Sequence, residues 1–171
     1  KNYEEIYIVG NSFGGNLALI CAQCSPKIKG IVTLGTPIFF RREKLGRFVI
    51  LPIARRIKIF QDKKYSSRYA KRLMTKKAWS YQTVPIKSFS QLIKLVKLTK
   101  KKLASVTKPL LVMQVVRDHL VAKESGYYIV SKAKSHKKNI ITVPESYHMF
   151  LVDKYAPYVN REIRQFIKDN Y

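Results

Sequence analysis

Four short stretches of the chain are apolar at nearly every position. Residues 6–9 read Ile-Tyr-Ile-Val and stop at Gly10; residues 31–34 read Ile-Val-Thr-Leu and close with Gly35-Thr36-Pro37. Residues 110–116 form the longest run, Leu-Leu-Val-Met-Gln-Val-Val, and residues 140–143 read Ile-Ile-Thr-Val before Pro144. Runs of this length, rich in β-branched residues and bounded by Gly or Pro, predict strands covered on both faces. Helical patterns occupy residues 14–24, 123–134 and 154–169, the first ending before Pro26. Continuous apolar strands alternating with helices predict an α/β fold with a mainly parallel sheet sandwiched between helices. Folds of this kind place their chemistry at the C-terminal ends of the strands.

Residues 38–87 break the rhythm. The segment from Ile38 to Ala78 carries fourteen Lys or Arg residues against two acids, Glu43 and Asp62, a net +12. With no clean strand pattern, it reads as a cap or lid inserted between two core segments, 1–37 and 88–171. Residues 88–99 follow with Phe89, Leu92, Ile93 and Val96 at helical spacing and Lys94, Lys97 and Lys100 on the other face. That pattern suits a membrane surface, but it is more often a helix packed on its own core.

The whole chain has 171 residues, with 34 Lys and Arg, 10 Asp and Glu, and a net charge of +24. This excess fits either an anionic partner or a Lys-rich compositional habit, and the scatter of lysines along the whole chain favours the second. An anionic surface remains a candidate contact for the basic cap. No aromatic stacking motif or groove-reading helix points to specific nucleic-acid binding. No apolar run approaches the roughly 18 residues needed to span a bilayer, and a cytoplasmic location is the default expectation. Cys21 and Cys24 make a C-x-x-C pair inside an apolar stretch, without a second pair or a nearby His. They are expected to be small core residues and not a metal or redox site.

The most informative stretch is Gly10-Asn11-Ser12-Phe13-Gly14-Gly15, between a predicted strand and a predicted helix. G-x-S-x-G in this context puts a serine on a sharp, strained turn above the sheet edge. The helix N-terminus then points its free N–H groups at the reacting oxygen, with Phe13 N–H as a natural oxyanion donor. Such a nucleophile needs a base, and the base an orienting acid. Of three histidines, His119 adjoins Asp118, so their side chains should point apart if the strand continues. His136 lies in the polar stretch Lys134-Ser135-His136-Lys137-Lys138. His148 alone follows a strand at the sheet's C-terminal edge. Asp118 stands just past the third strand, 106 residues after Ser12 and 30 before His148. The order is Ser, Asp, His, as in α/β-hydrolases.

The chain resembles the carboxylesterase and monoacylglycerol-lipase-like branch of the α/β-hydrolases, also grouped as serine aminopeptidase-like hydrolases. The likeness is carried by residues 6–15, by residues 108–121, by Pro144-Glu145-Ser146-Tyr147-His148 and by the closing helix. It implies Ser12 as nucleophile, Asp118 as acid, His148 as base and Phe13 as one oxyanion donor, cleaving small-molecule or lipid carboxylic esters through an acyl-enzyme. No metal or organic cofactor is implied. The same residues would suit an acyltransferase, a thioesterase or a peptidase, and a non-catalytic binding protein on the same fold is the other alternative. Two features depart from the family pattern. Val115 stands where relatives carry glycine. The eleven residues before Ser12 also hold no His-Gly loop for a second oxyanion donor, nor the fold's first strands. With Lys1 opening the chain, the expectation is a piece of a longer product, inactive alone.

Overall fold

A computed structural model describes residues 3–41, 60–62, 81, 83–144, 148 and 150–171. The four apolar runs form one parallel sheet of β1 (Ile6–Asn11), β2 (Ile28–Leu34), β5 (Leu110–Val115) and β6 (Lys138–Val143), in the order β1-β2-β5-β6. The expected strands are present: β2 and β6 begin three and two residues earlier than expected, β1 runs two residues further, and β5 ends one residue sooner. The connecting helices are α1 (Phe13–Cys21), α2 (Ile86–Lys102), α3 (Glu124–Lys132) and α4 (Ala156–Lys168).

Side chains alternate across the sheet because successive strand residues point to opposite faces. On one face Ile31, Leu110 and Val112 pack with Ala18 and Leu19 of α1, Ile129 of α3, and Leu103 and Val106 beyond α2. On the other face Val32, Leu34, Leu111, Met113 and Val115 pack with Phe150 and Val159. Both faces are therefore covered, which explains why these strands read as unbroken apolar runs. α4 also reaches the β1 side. The Tyr7 hydroxyl donates to the Asn170 carbonyl, and the Tyr7 ring meets Phe166 edge-on at 6.4 Å. The amphipathic stretch after the insertion is a core-packed helix. Val96 and Thr99 of α2 are buried, and its last turn carries Lys100, Lys101 and Lys102, favourable beside the negative end of the helix dipole. Among the described residues, no helix is long and apolar enough to cross a membrane.

Three expectations need correction. The insertion is not strand-free: β3 (Phe60–Asp62) and β4 (Thr83–Pro85) form a two-stranded antiparallel ribbon with Gln61 opposite Val84. Most of the proposed cap, residues 42–59 and 63–80, lies outside the described residues. α1 stops at Cys21 and not at residue 24, so Cys21 is only half-buried and Cys24, beyond the helix end, is exposed. Neither cysteine is a core residue.

Candidate active site

Ser12 sits between β1 and α1 at φ 53°, ψ −122°, and is the one non-glycine residue with positive φ among those described. An L side chain there costs of order 1–3 kcal/mol. The turn is held by Ser12 N–H donating to the Leu34 carbonyl at 2.7 Å and Gly15 N–H donating to the Ser12 carbonyl at 3.0 Å. The chain folds back so closely that a Cβ on Gly10 would meet the Gly14 carbonyl oxygen at 2.4 Å. Gly14, the last glycine of G-x-S-x-G, has open space around its Cβ position. The steric demand falls instead on Gly10 and on Gly15, whose Cβ would strike the Thr36 hydroxyl. Phe13 opens α1, so its N–H belongs to the helix's first turn and has no partner within the helix.

Asp118 and His148 come to Ser12 from two other strand ends. The β5 chain turns at residues 116–117, leaving Asp118 1% exposed. Its Oδ1 accepts the N–H groups of Leu120 at 2.8 Å and Val121 at 3.1 Å, so the loop closes around the carboxylate. Its Oδ2 lies 2.6 Å from His148 Nδ1, and His148 Nε2 lies 2.8 Å from Ser12 Oγ. Burial alone would raise the Asp118 pKa. The hydrogen bond and charge of His148, with the two backbone N–H groups, outweigh it and hold the carboxyl below its ordinary value. An ionised Asp118 is an acceptor only, so His148 Nδ1 donates to it, which leaves Nε2 to accept from the Ser12 hydroxyl. Glu145, Ser146 and Tyr147, just before His148, lie outside the described residues.

The other histidines separate. His136 is exposed and stands just before the start of β6, at the opposite end of that strand from His148. His119 does not point away as expected: β5 ends at Val115, and the turn brings the His119 ring edge-on to His148, with centroids 6.3 Å apart.

Several supporting residues escaped the sequence reading. Gly35 ends β2 at φ +56°, and a Cβ there would lie 3.4 Å from His148 Nδ1 and 3.3 Å from Phe150. The Gly35-Thr36-Pro37 stop signal was visible, but not its proximity to the imidazole. Buried Asn16 donates to the Pro37 carbonyl at 3.0 Å and to the Thr99 hydroxyl at 3.1 Å, tying α1 to that loop and to α2. Ser125 bonds the backbone of Ile38 and Phe39, and Phe40 bridges Val121, so the start of the insertion is stitched to the acid loop. Arg41 Nη1 donates to the Asp118 carbonyl at 3.1 Å. Phe40 also faces Phe13 at 6.3 Å, placing aromatic surface beside the elbow. An open cleft of about 850 Å³ lies on the acid-loop side, lined by Phe40, Arg41, Asp118 and Val121 among others. Among the described residues, no three His, Cys, Asp or Glu side chains gather as a metal site.

A parallel sheet with a strained serine elbow, and with acid and histidine at the next strand ends, defines an α/β-hydrolase. The family described as Serine aminopeptidase, S33, matches residues 1–155, and the chain belongs to that family. It is 24% identical over 168 residues to a carboxylesterase of Bacillus subtilis (strain 168), covering 98% of this chain and 65% of that protein. It is 28% identical over 167 residues to a thermostable monoacylglycerol lipase of Bacillus sp. (strain H-257), covering 96% of this chain and 64% of the lipase. Among solved structures, a Paleococcus ferrophilus monoacylglycerol lipase superposes with a TM-score of 0.80 at 16% identity, covering 98% of this chain and 70% of its own. A Saccharomyces cerevisiae monoglyceride lipase in complex with a substrate analog gives 0.78 at 16% identity, over 97% and 62%. The chain thus spans about 65% of the length of the Bacillus relatives.

Proposed function

We propose that these residues form the catalytic portion of a serine hydrolase that cleaves carboxylic esters, monoacylglycerol-type lipid esters among them. The observation that carries this reading is the continuous chain Asp118–His148–Ser12, at 2.6 and 2.8 Å, ending on a strained serine. Ser12 Oγ attacks the ester carbonyl as His148 Nε2 takes its proton. Asp118 stays ionised, fixes the imidazole tautomer and stabilises its cation. Phe13 N–H, at the positive end of α1, donates to the tetrahedral oxyanion. The imidazolium then protonates the departing alcohol, leaving an acyl group on Ser12. A water molecule deprotonated by His148 attacks that acyl group and regenerates the serine.

The family match and the names of the Bacillus relatives support ester chemistry. The aromatic pair Phe13 and Phe40 beside the elbow suits an apolar acyl chain. The basic insertion would act as a cap over this site, drawing anionic surfaces toward it.

The test is labelling with a fluorophosphonate probe, which an activated serine attacks at phosphorus. Ser12 should be labelled, with labelling absent in Ser12→Ala and sharply slowed in His148→Ala. Labelling of Ser12→Ala at the unsubstituted level would overturn the assignment.

A further inference from the structure

The site leaves Cys21 and Cys24 unused. Cys21 is the last residue of α1 and half-buried, Cys24 is exposed, and both are free thiols. They lie on one tight turn, closed by Cys24 N–H donating to the Cys21 carbonyl at 2.9 Å. The two residues between them are fixed independently. Ala22 is completely buried in the core. Gln23 Nε2 donates to the Ser105 carbonyl at 2.6 Å and to the Thr107 hydroxyl at 3.1 Å, clamping the turn to the segment after α2. Burial, with Cys24 nearby, raises the Cys21 pKa. A turn closed by an i→i+3 backbone hydrogen bond brings its end Cα atoms within about 7 Å, close to the span a disulfide bridges.

We propose that Cys21 and Cys24 form a reversible dithiol–disulfide pair, oxidised by low-molecular-weight disulfides. Cys24 is the entry thiol because solvent reaches it. Its thiolate attacks one sulfur of a disulfide RSSR, forming a mixed disulfide and expelling RS⁻, which is protonated to RSH. Cys21, held as a thiol until then, loses its proton and attacks the Cys24 sulfur, expelling the second RS⁻. The protein loses two electrons and two protons, and one RSSR becomes two RSH. The pair sits at the far end of α1 from Ser12, roughly 13 Å along a nine-residue helix. The proposal therefore does not rest on the ester-hydrolase reading.

The experiment is to incubate the native chain with oxidised glutathione, trap remaining thiols with N-ethylmaleimide and measure intact mass. The expected product has lost two hydrogens, takes up no maleimide and is restored by dithiothreitol. Cys21→Ser should stop at a stable glutathione adduct on Cys24, and Cys24→Ser should react at least tenfold more slowly. Circular dichroism before and after oxidation checks that the fold is intact. A stable adduct on the unsubstituted chain would overturn the proposal. So would a covalent dimer, or thiols that remain unreacted in the folded protein.

Discussion

At one edge of the sheet β6 turns Lys138, Asn139 and Thr142 to solvent. At the other, β1 leaves Ile6 40% and Val9 44% exposed, with Leu17 of α1 at 52%. Polar and charged side chains are how an edge strand avoids pairing with other chains, and β1 has none of them between Ile6 and Val9. β6 is built as the border of a sheet; β1 is built as an interior strand. The site follows the same division. From Ser12 toward β6, hydrogen bonds link the serine to His148 and His148 to Asp118. From Ser12 outward past β1, no further strand pairs with the sheet among the described residues.

The largest effects should come from the β6 side. Ser12→Ala or His148→Ala should lower ester turnover by roughly 10⁴-fold or more, read with a p-nitrophenyl ester. Next comes the β1 side. A chain extended at its N-terminus to the length of the Bacillus relatives should hydrolyse the same ester about 10²–10³-fold faster than the 171 residues alone, the usual worth of one further oxyanion donor. The isolated chain should also self-associate through β1. Val9→Lys should raise its monomer fraction in size-exclusion chromatography, whereas Thr142→Lys at the other edge should change nothing. Equal turnover by a soluble, monomeric 171-residue chain would erase the contrast between the edges.

Smaller effects sharpen the comparison. Ser12→Gly should raise unfolding free energy by about 1 kcal/mol, because glycine accepts the positive φ that serine bears under strain. Denaturant melts measure this directly. Asp118 stabilises the fold in its ionised form, since its folded pKa lies below the unfolded value. That stabilisation is present above about pH 4 and fades as pH falls through the lower folded value. Asp118→Asn should therefore be less stable than the unsubstituted chain at pH 7, with the gap closing in acid. His136→Ala, exposed and remote, should stay within about tenfold of full turnover.

How much of this was legible depended on the range of the signal. The sheet strands were readable because burial on both faces writes itself into consecutive residues, as in Leu110–Val115. The ribbon of β3 and β4 was not. Each strand has three residues, they pair across about twenty others, and Asp62 and Pro85 are poor strand formers. Ser12, Asp118 and His148 could be singled out by their place after strands, although nothing local encodes contacts that span 136 residues. His119 was misplaced because the reading continued a strand that ends at Val115. The cysteines were misplaced because Pro26 limits where α1 can end without fixing where it does. Gly35 was visible as a stop signal, but its contact with His148 needs the sheet to be assembled first.

The strand order β1-β2-β5-β6 has a consequence for how the protein is made. Position across the sheet follows position along the chain, so synthesis lays the strands down side by side in the order they leave the ribosome. Ser12 emerges 136 residues before His148. Until then the nascent chain carries a serine on its elbow with no imidazole beside it, and their hydrogen bond forms only after β6 has docked. On the proposed mechanism the timing of activation is thus written into the topology: a chain stopped anywhere before residue 148 has no base for Ser12 and forms no acyl-enzyme, however well its first strands have folded.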